Sequence, residues 1–173
     1  MHFKTILDFW FQELTANKWY VKDEKVDNEI RSRFSDIHQS VALGECASWR
    51  KTAHGSLAEI IVLDQFSRNM FRGTEKAFSY DSMALALAQF ARSKGFQKNL
   101  NDVERQFLHM PFMHSESPII QEESLRLFGE DNSYAVDHKA VIDQFGRFPH
   151  RNNILQRESS EEELSYLETH SGW

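Results

Sequence analysis

Apolar residues recur along this chain with the period of an amphipathic helix. Phe3, Ile6, Leu7, Trp10 and Leu14 keep the i, i+3, i+4, i+7 rhythm of one buried face, and Val26, Ile30, Phe34 and Ile37 repeat it. Alternation of period two is missing, and valine and threonine are sparse, which speaks against strands. The punctuation agrees. Gly44, Gly73, Gly95, Gly129 and Gly146 each close a periodic run, where a left-handed cap wants a residue without Cβ. Ser56 with Glu59, Asn101 with Glu104, and Ser160 with Glu163 have capping-box spacing, and Ser117 before Pro118 reads as an N-cap with a first-turn proline. The pattern predicts an all-α chain with helices near 3–14, 23–42, 56–72, 81–94, 102–113, 118–128, 134–146 and 160–169, and a loop or short turn over 151–157. No low-complexity linker divides it, so 1–173 reads as a single helical domain.

Composition narrows the function classes. Phenylalanine occurs 14 times, which predicts a core of large flat side chains. The net charge of -6 argues against a general nucleic-acid binder, which needs a basic face for phosphates, but leaves room for a local basic pocket. Cys46 is the one cysteine, so no internal disulfide can form and a reducing compartment is expected. Asp8, Gln12 and Glu13 break the first segment, and no apolar stretch reaches membrane-spanning length. A cytoplasmic address and no membrane partner are the expectations.

One internal repeat stands out. Val62-Leu63-Asp64-Gln65-Phe66-Ser67-Arg68, ending at Arg72, recurs as Val141-Ile142-Asp143-Gln144-Phe145-Gly146-Arg147, ending at Arg151, with six of eleven positions identical at an offset of 79 residues. In the first copy Leu57, Ile60, Ile61, Asp64, Arg68 and Phe71 fall along one stripe, and Val62, Phe66 and Met70 cover the opposite side. A helix apolar nearly all round places Asp64 and Arg68 inside the fold. The second copy puts Asp143 and Arg147 on the stripe of Val136 and Ala140. Buried charges are costly unless paired, which leaves two readings. Either each aspartate pairs with the arginine four residues on and the network only fixes packing, or Arg68, Arg72, Arg147 and Arg151 converge on an anion with the aspartates orienting them.

Leu63-Asp64-Gln65-Phe66-Ser67-Arg68-Asn69 resembles the signature of an uncharacterised bacterial family, domain of unknown function 924. So do Phe9-Trp10-Phe11, the run from Glu104-Arg105-Gln106-Phe107 to His114-Ser115-Glu116, and the stretch from Asp143 to Asn152. The likeness runs from residue 3 to about 167. It implies an α-α superhelix of about eight helices, similar to tetratricopeptide-repeat proteins. No repeat of about 34 residues is visible, so peptide-groove binding does not carry over. The family brings no established activity.

The remaining chemistry is sparse. His109 and His114 lie five residues apart, about 140° around a helix, unlike the i, i+4 pair of a zinc protease, so no metal and no cofactor are expected. Ser56 lacks a nucleophile-elbow setting, and Glu45 raises the Cys46 thiol rather than activating it. Trp10, Trp19 and Trp49 suit a core, although Trp19 and Tyr20 follow a predicted loop and could instead wall a pocket. The expected function is a pocket for a small anionic metabolite. Arg68, Arg72, Arg147 and Arg151 would bind it, Asp64, Gln65, Asp143 and Gln144 would orient it, and His114 or His150 would carry a proton if a reaction follows. The alternative is a non-catalytic helical scaffold that grips a protein partner or a second copy.

Overall fold

The computed structural model describes residues 2–170 and 172, and no strand occurs among them. Helix α1, Phe3–Asp8, runs on into a wider π-helical turn over Phe9–Glu13, and α2 is Glu24–Ala42. Helix α3, Ala53–Ile61, continues through a second π-helical segment, Val62–Phe66, into α4, Ser67–Met70. Then come α5, Asp81–Ser93, α6, Asp102–Met113, α7, Pro118–Phe128, α8, Ser133–Phe145, and α9, Glu161–Leu167. Taking α3 through α4 as one rod, these are the eight helices that the periodicity predicts. None is long and apolar enough to cross a membrane among the described residues.

Local chemistry explains most helix starts and corrects one. Asn101 and Glu104 exchange side-chain and backbone bonds at the head of α6, and Ser160 and Glu163 form the full capping box of α9. Ser56 does not cap α3. The helix begins at Ala53, Thr52 is its N-cap and accepts from the Gly55 N–H at 3.1 Å, and Ser56 lies buried inside the first turns. Glu59 is taken by Arg50 instead, through Nε at 2.9 Å. Ser117 holds the N-cap position before Pro118, but its side chain makes no capping bond. The five predicted glycine stops all have positive φ, yet Gly129 combines φ 88° with ψ 151° and so makes an extended turn open to glycine alone rather than a left-handed cap.

The chain divides into two compact units, Met1–Arg72 with Lys76–Pro111, and Gly73–Glu75 with Phe112–Trp173. In the first, α3 packs on α1 and on α5 and is buried on nearly every side. Phe34 lies 4.9 Å from Phe9 and 5.0 Å from Phe66, ring centre to ring centre, and Trp10 sits 5.7 Å from Phe66. Each such side chain contributes roughly 1.5–3 kcal/mol when fully buried. Trp19 belongs to this packing: its Nε1 donates to the Trp10 carbonyl at 2.9 Å, and its ring meets Phe11 and Phe107 edge-on. Trp49 lies edge-on to Phe3. In the second unit α7 packs on α8, and Val141, Ile142 and Phe148 form a core with Phe145 and Tyr166 against it.

Candidate functional site

The first copy of the repeat coincides with the π-helical segment. Its wider turn breaks the regular 100° step on which a helical-wheel reading depends, and it brings Asp64 and Gln65 inward together. Asp64 is 1 % exposed, with Arg68 Nη1 3.3 Å away and the Gln65 amide donating to its carboxylate. Arg68 also donates to the Asp64 carbonyl at 2.7 Å and grips Asp81 with both Nη groups, at 2.9 and 3.0 Å. Arg72 holds Asp27 through Nε and Nη2 at 2.6 and 2.9 Å, and Asn69 adds a bond to the same carboxylate at 2.8 Å. Burial works against the Asp27 charge, but the Arg72 and Asn69 bonds outweigh it and keep its pKa below the usual carboxylate range. Ser67 bonds His38 Nε2 at 2.8 Å, and burial, helped by Lys76, pushes His38 down to about 4. In this copy the arginines are engaged by carboxylates of α2, α3–α4 and the start of α5.

The second copy differs. Asp143 is exposed and paired to Lys139 at 2.6 Å, and Gln144 faces solvent. Val136 and Ala140, the stripe on which burial was expected, are exposed as well. Helix α8 ends at Phe145, and Gly146 turns the chain with φ 69°, so Arg147 lies beyond the helix and cannot reach back to Asp143 as Arg68 reaches Asp64. Arg147 instead clamps Glu163 at 2.6 and 2.7 Å and donates to the Glu158 carbonyl. The Arg147 bonds, against the pull of burial and with help from the Ser160 N–H and Asn152, bring Glu163 down to about 2. Six identical residues therefore occupy two unlike settings, and the predicted Asp143–Arg147 pair does not form.

Other polar groups of the second unit gather around the turn after α8. Glu116 accepts the Phe148 N–H at 2.8 Å and both Nη groups of Arg157 at 2.8 and 3.0 Å, and Arg157 donates back to the Phe148 carbonyl at 3.2 Å. Burial would raise the Glu116 pKa, but Arg157, the Phe148 N–H and the charge of Arg151 hold it low. Arg151 is buried, lies over the Phe148 ring at 4.6 Å, and donates to the His114 carbonyl at 3.1 Å. The rings of His114 and His138 are 6.4 Å apart. Burial and the neighbouring His114, Arg151 and His150 charges, opposed by the Tyr134 carbonyl, push His138 down to about 3. The structure thus brings His114 and Arg151 together, with His138 and Arg157 as members that the sequence reading missed. His138 had a signal: it lies on the buried stripe of Ala135, Val141 and Ile142. Arg157 had none, because it stands in a loop without periodicity.

Beside this cluster an open depression of about 670 Å³ has apolar walls from Pro149, Leu164 and Leu167 and polar ones from His150, Asn153, Arg157, Glu158 and Ser159. His150 is the one residue of the predicted site among them. No group of three or more His, Cys, Asp or Glu side chains able to hold a metal occurs among the described residues. Cys46 is buried, and burial, with Glu59 and Glu45 near it, raises its thiol pKa.

Residues 6–171 match the model of a family described as a bacterial protein of unknown function, DUF924. A solved structure of a protein of unknown function from Agrobacterium tumefaciens is similar at 37% identity, covering 97% of each chain with a TM-score of 0.90. No curated protein matches the chain.

Proposed function

The chain belongs to the bacterial family DUF924, and from that premise we propose that it binds a small phosphate- or carboxylate-bearing molecule in the depression of its second unit. His150 and Arg157 contact the anion, Asn153 and Ser159 complete the polar wall, and Leu164 and Leu167 take the apolar remainder of the ligand. The observation that carries this reading is the state of Arg157. Glu116 fixes its guanidinium from one side, and its buried Nε–H has no acceptor, so a donor stands unsatisfied in the wall of a polar depression. The four-arginine convergence gives way to this arrangement, since the depression is lined by Arg157 and by none of Arg68, Arg72, Arg147 and Arg151.

Calorimetric titration with inorganic phosphate tests the reading. Saturable binding is expected for the natural chain, weakened about tenfold or more by His150→Ala and by Arg157→Gln, as for the loss of a charged hydrogen bond. Arg126→Gln, a change at an exposed residue of α7, should leave it unaltered. No binding to the natural chain, or equal binding by all four proteins, refutes it. The second reading, a scaffold that grips a protein partner, draws on the exposed Ile119, Tyr134 and Leu164 of the same unit.

A further inference from the structure

We infer that the ligand of this depression is a zwitterion, an α-amino acid with an apolar side chain, and that Glu158 takes its ammonium group. The inference rests on the depression being the anion site and names the class of molecule that the site fits. Its own observation is an acid in the wall of an anion site. Glu158 lines the depression together with Arg157. The Glu158 carbonyl accepts from Arg147, but among the described residues no cation or N–H donor takes its side-chain carboxylate. Glu116 already offsets the Arg157 charge through a bidentate pair. Glu158 therefore leaves an excess negative charge on the wall, which repels a phosphate dianion and attracts an ammonium group.

The donors and acceptors of the wall divide in the same way. Arg157 presents its buried Nε–H without an acceptor. Ser159 Oγ accepts from Nδ2 of the buried Asn152 at 3.0 Å, so its own proton is left for a ligand oxygen. These two donors suit one carboxylate. On the acceptor side, the Asn153 side-chain carbonyl, which no described group uses, lines the depression with Glu158. An ammonium group carries three N–H donors and no acceptor, so it matches that pair. Leu164, 55 % exposed, and Leu167 supply the apolar wall. An inorganic oxyanion would fill only a corner of the roughly 670 Å³ available. Carboxylate, ammonium and an apolar side chain on one carbon are what an α-amino acid offers.

Calorimetric titration of the full chain with four probes reads the two halves of the site separately. The probes are L-leucine, 4-methylpentanoate, which lacks the ammonium group, 3-methylbutylamine, which lacks the carboxylate, and inorganic phosphate. L-leucine is expected to bind at least about tenfold more tightly than either truncated analogue. Glu158→Gln changes an exposed residue and should leave circular dichroism unaltered. It should bring L-leucine down to the affinity of 4-methylpentanoate, abolish binding of 3-methylbutylamine, and leave phosphate bound as tightly or more tightly. Equal affinities of L-leucine and 4-methylpentanoate for the natural chain, or an L-leucine affinity untouched by Glu158→Gln, overturn the zwitterion. Phosphate binding that is lost in Arg157→Gln would then keep the anion reading standing. Binding of 3-methylbutylamine that needs Glu158, with neither phosphate nor 4-methylpentanoate bound, refutes the anion reading and with it the zwitterion.

Discussion

Arg68→Ala is expected to lower the stability of the fold by about 3–5 kcal/mol, and Asp64→Ala by clearly less. The asymmetry follows from who keeps a partner. Arg68 serves two carboxylates, Asp64 at 3.3 Å and Asp81 through a bidentate pair. When Asp64 is removed, Arg68 retains Asp81, which is partly open to solvent. When Arg68 is removed, Asp64 loses this guanidinium at a place that is 1 % exposed, and Asp81 loses the two bonds that Arg68 gives it. Leaving a charge buried without its counter-ion costs far more than the pair itself contributes. The Arg68→Ala, Asp64→Ala double variant should recover part of the single arginine loss, because the stranded charge goes with its partner. Urea denaturation of the three variants measures these terms. Equal losses for the two single variants would show that the Gln65 amide and its surroundings, not Arg68, carry the Asp64 charge.

Gly55→Ala should destabilise the protein by on the order of 3 kcal/mol, against the usual sign of that exchange in a helix. In an open helix interior, alanine gains about 1 kcal/mol over glycine. Here the added Cβ would stand 2.1 Å from the Trp49 carbonyl oxygen and 2.8 Å from its carbon, both backbone atoms that cannot swing aside as a side-chain tip would. The Trp49 turn packs directly on α3, and Thr52 between them caps the helix through the Gly55 N–H. Either the turn withdraws and the cap is lost, or α3 shifts against α1 and α5. A thermal melt of Gly55→Ala at or above the natural transition would contradict this close approach.

The helices were legible because long amphipathic runs carry a redundant signal. Asn101, Glu104, Ser160 and Glu163 sit at spacings for which backbone donors have few other partners. Ser56 misled because Thr52, four residues earlier, is equally able to cap, and only the packing of Trp49 against Gly55 decides between them. The repeat misled for a deeper reason. Identity at Asp64 and Asp143, or at Arg68 and Arg147, says nothing of helix length, and a single glycine at 146 ends α8 before the arginine. The corresponding residue of the first copy, Ser67, stays helical and bonds a buried histidine. The π-helical turn through Val62–Phe66 was invisible to a fixed 3.6-residue period. The depression escaped notice because its polar wall comes from the stretch 149–159, where Arg157 is placed by Glu116 from a distant part of the sequence. The family resemblance and the all-helical class were both readable from the start; the placement of the candidate site was not.

The central claim is that an anion lies between His150 and Arg157. Anomalous diffraction from a crystal of this protein soaked in selenate locates a bound oxyanion directly. The predicted result is a selenium peak in the depression, with its oxygens within hydrogen-bonding distance of Arg157 and His150. A map with no peak there, or with peaks only beside Arg68, Arg72 or Arg147, would contradict the claim.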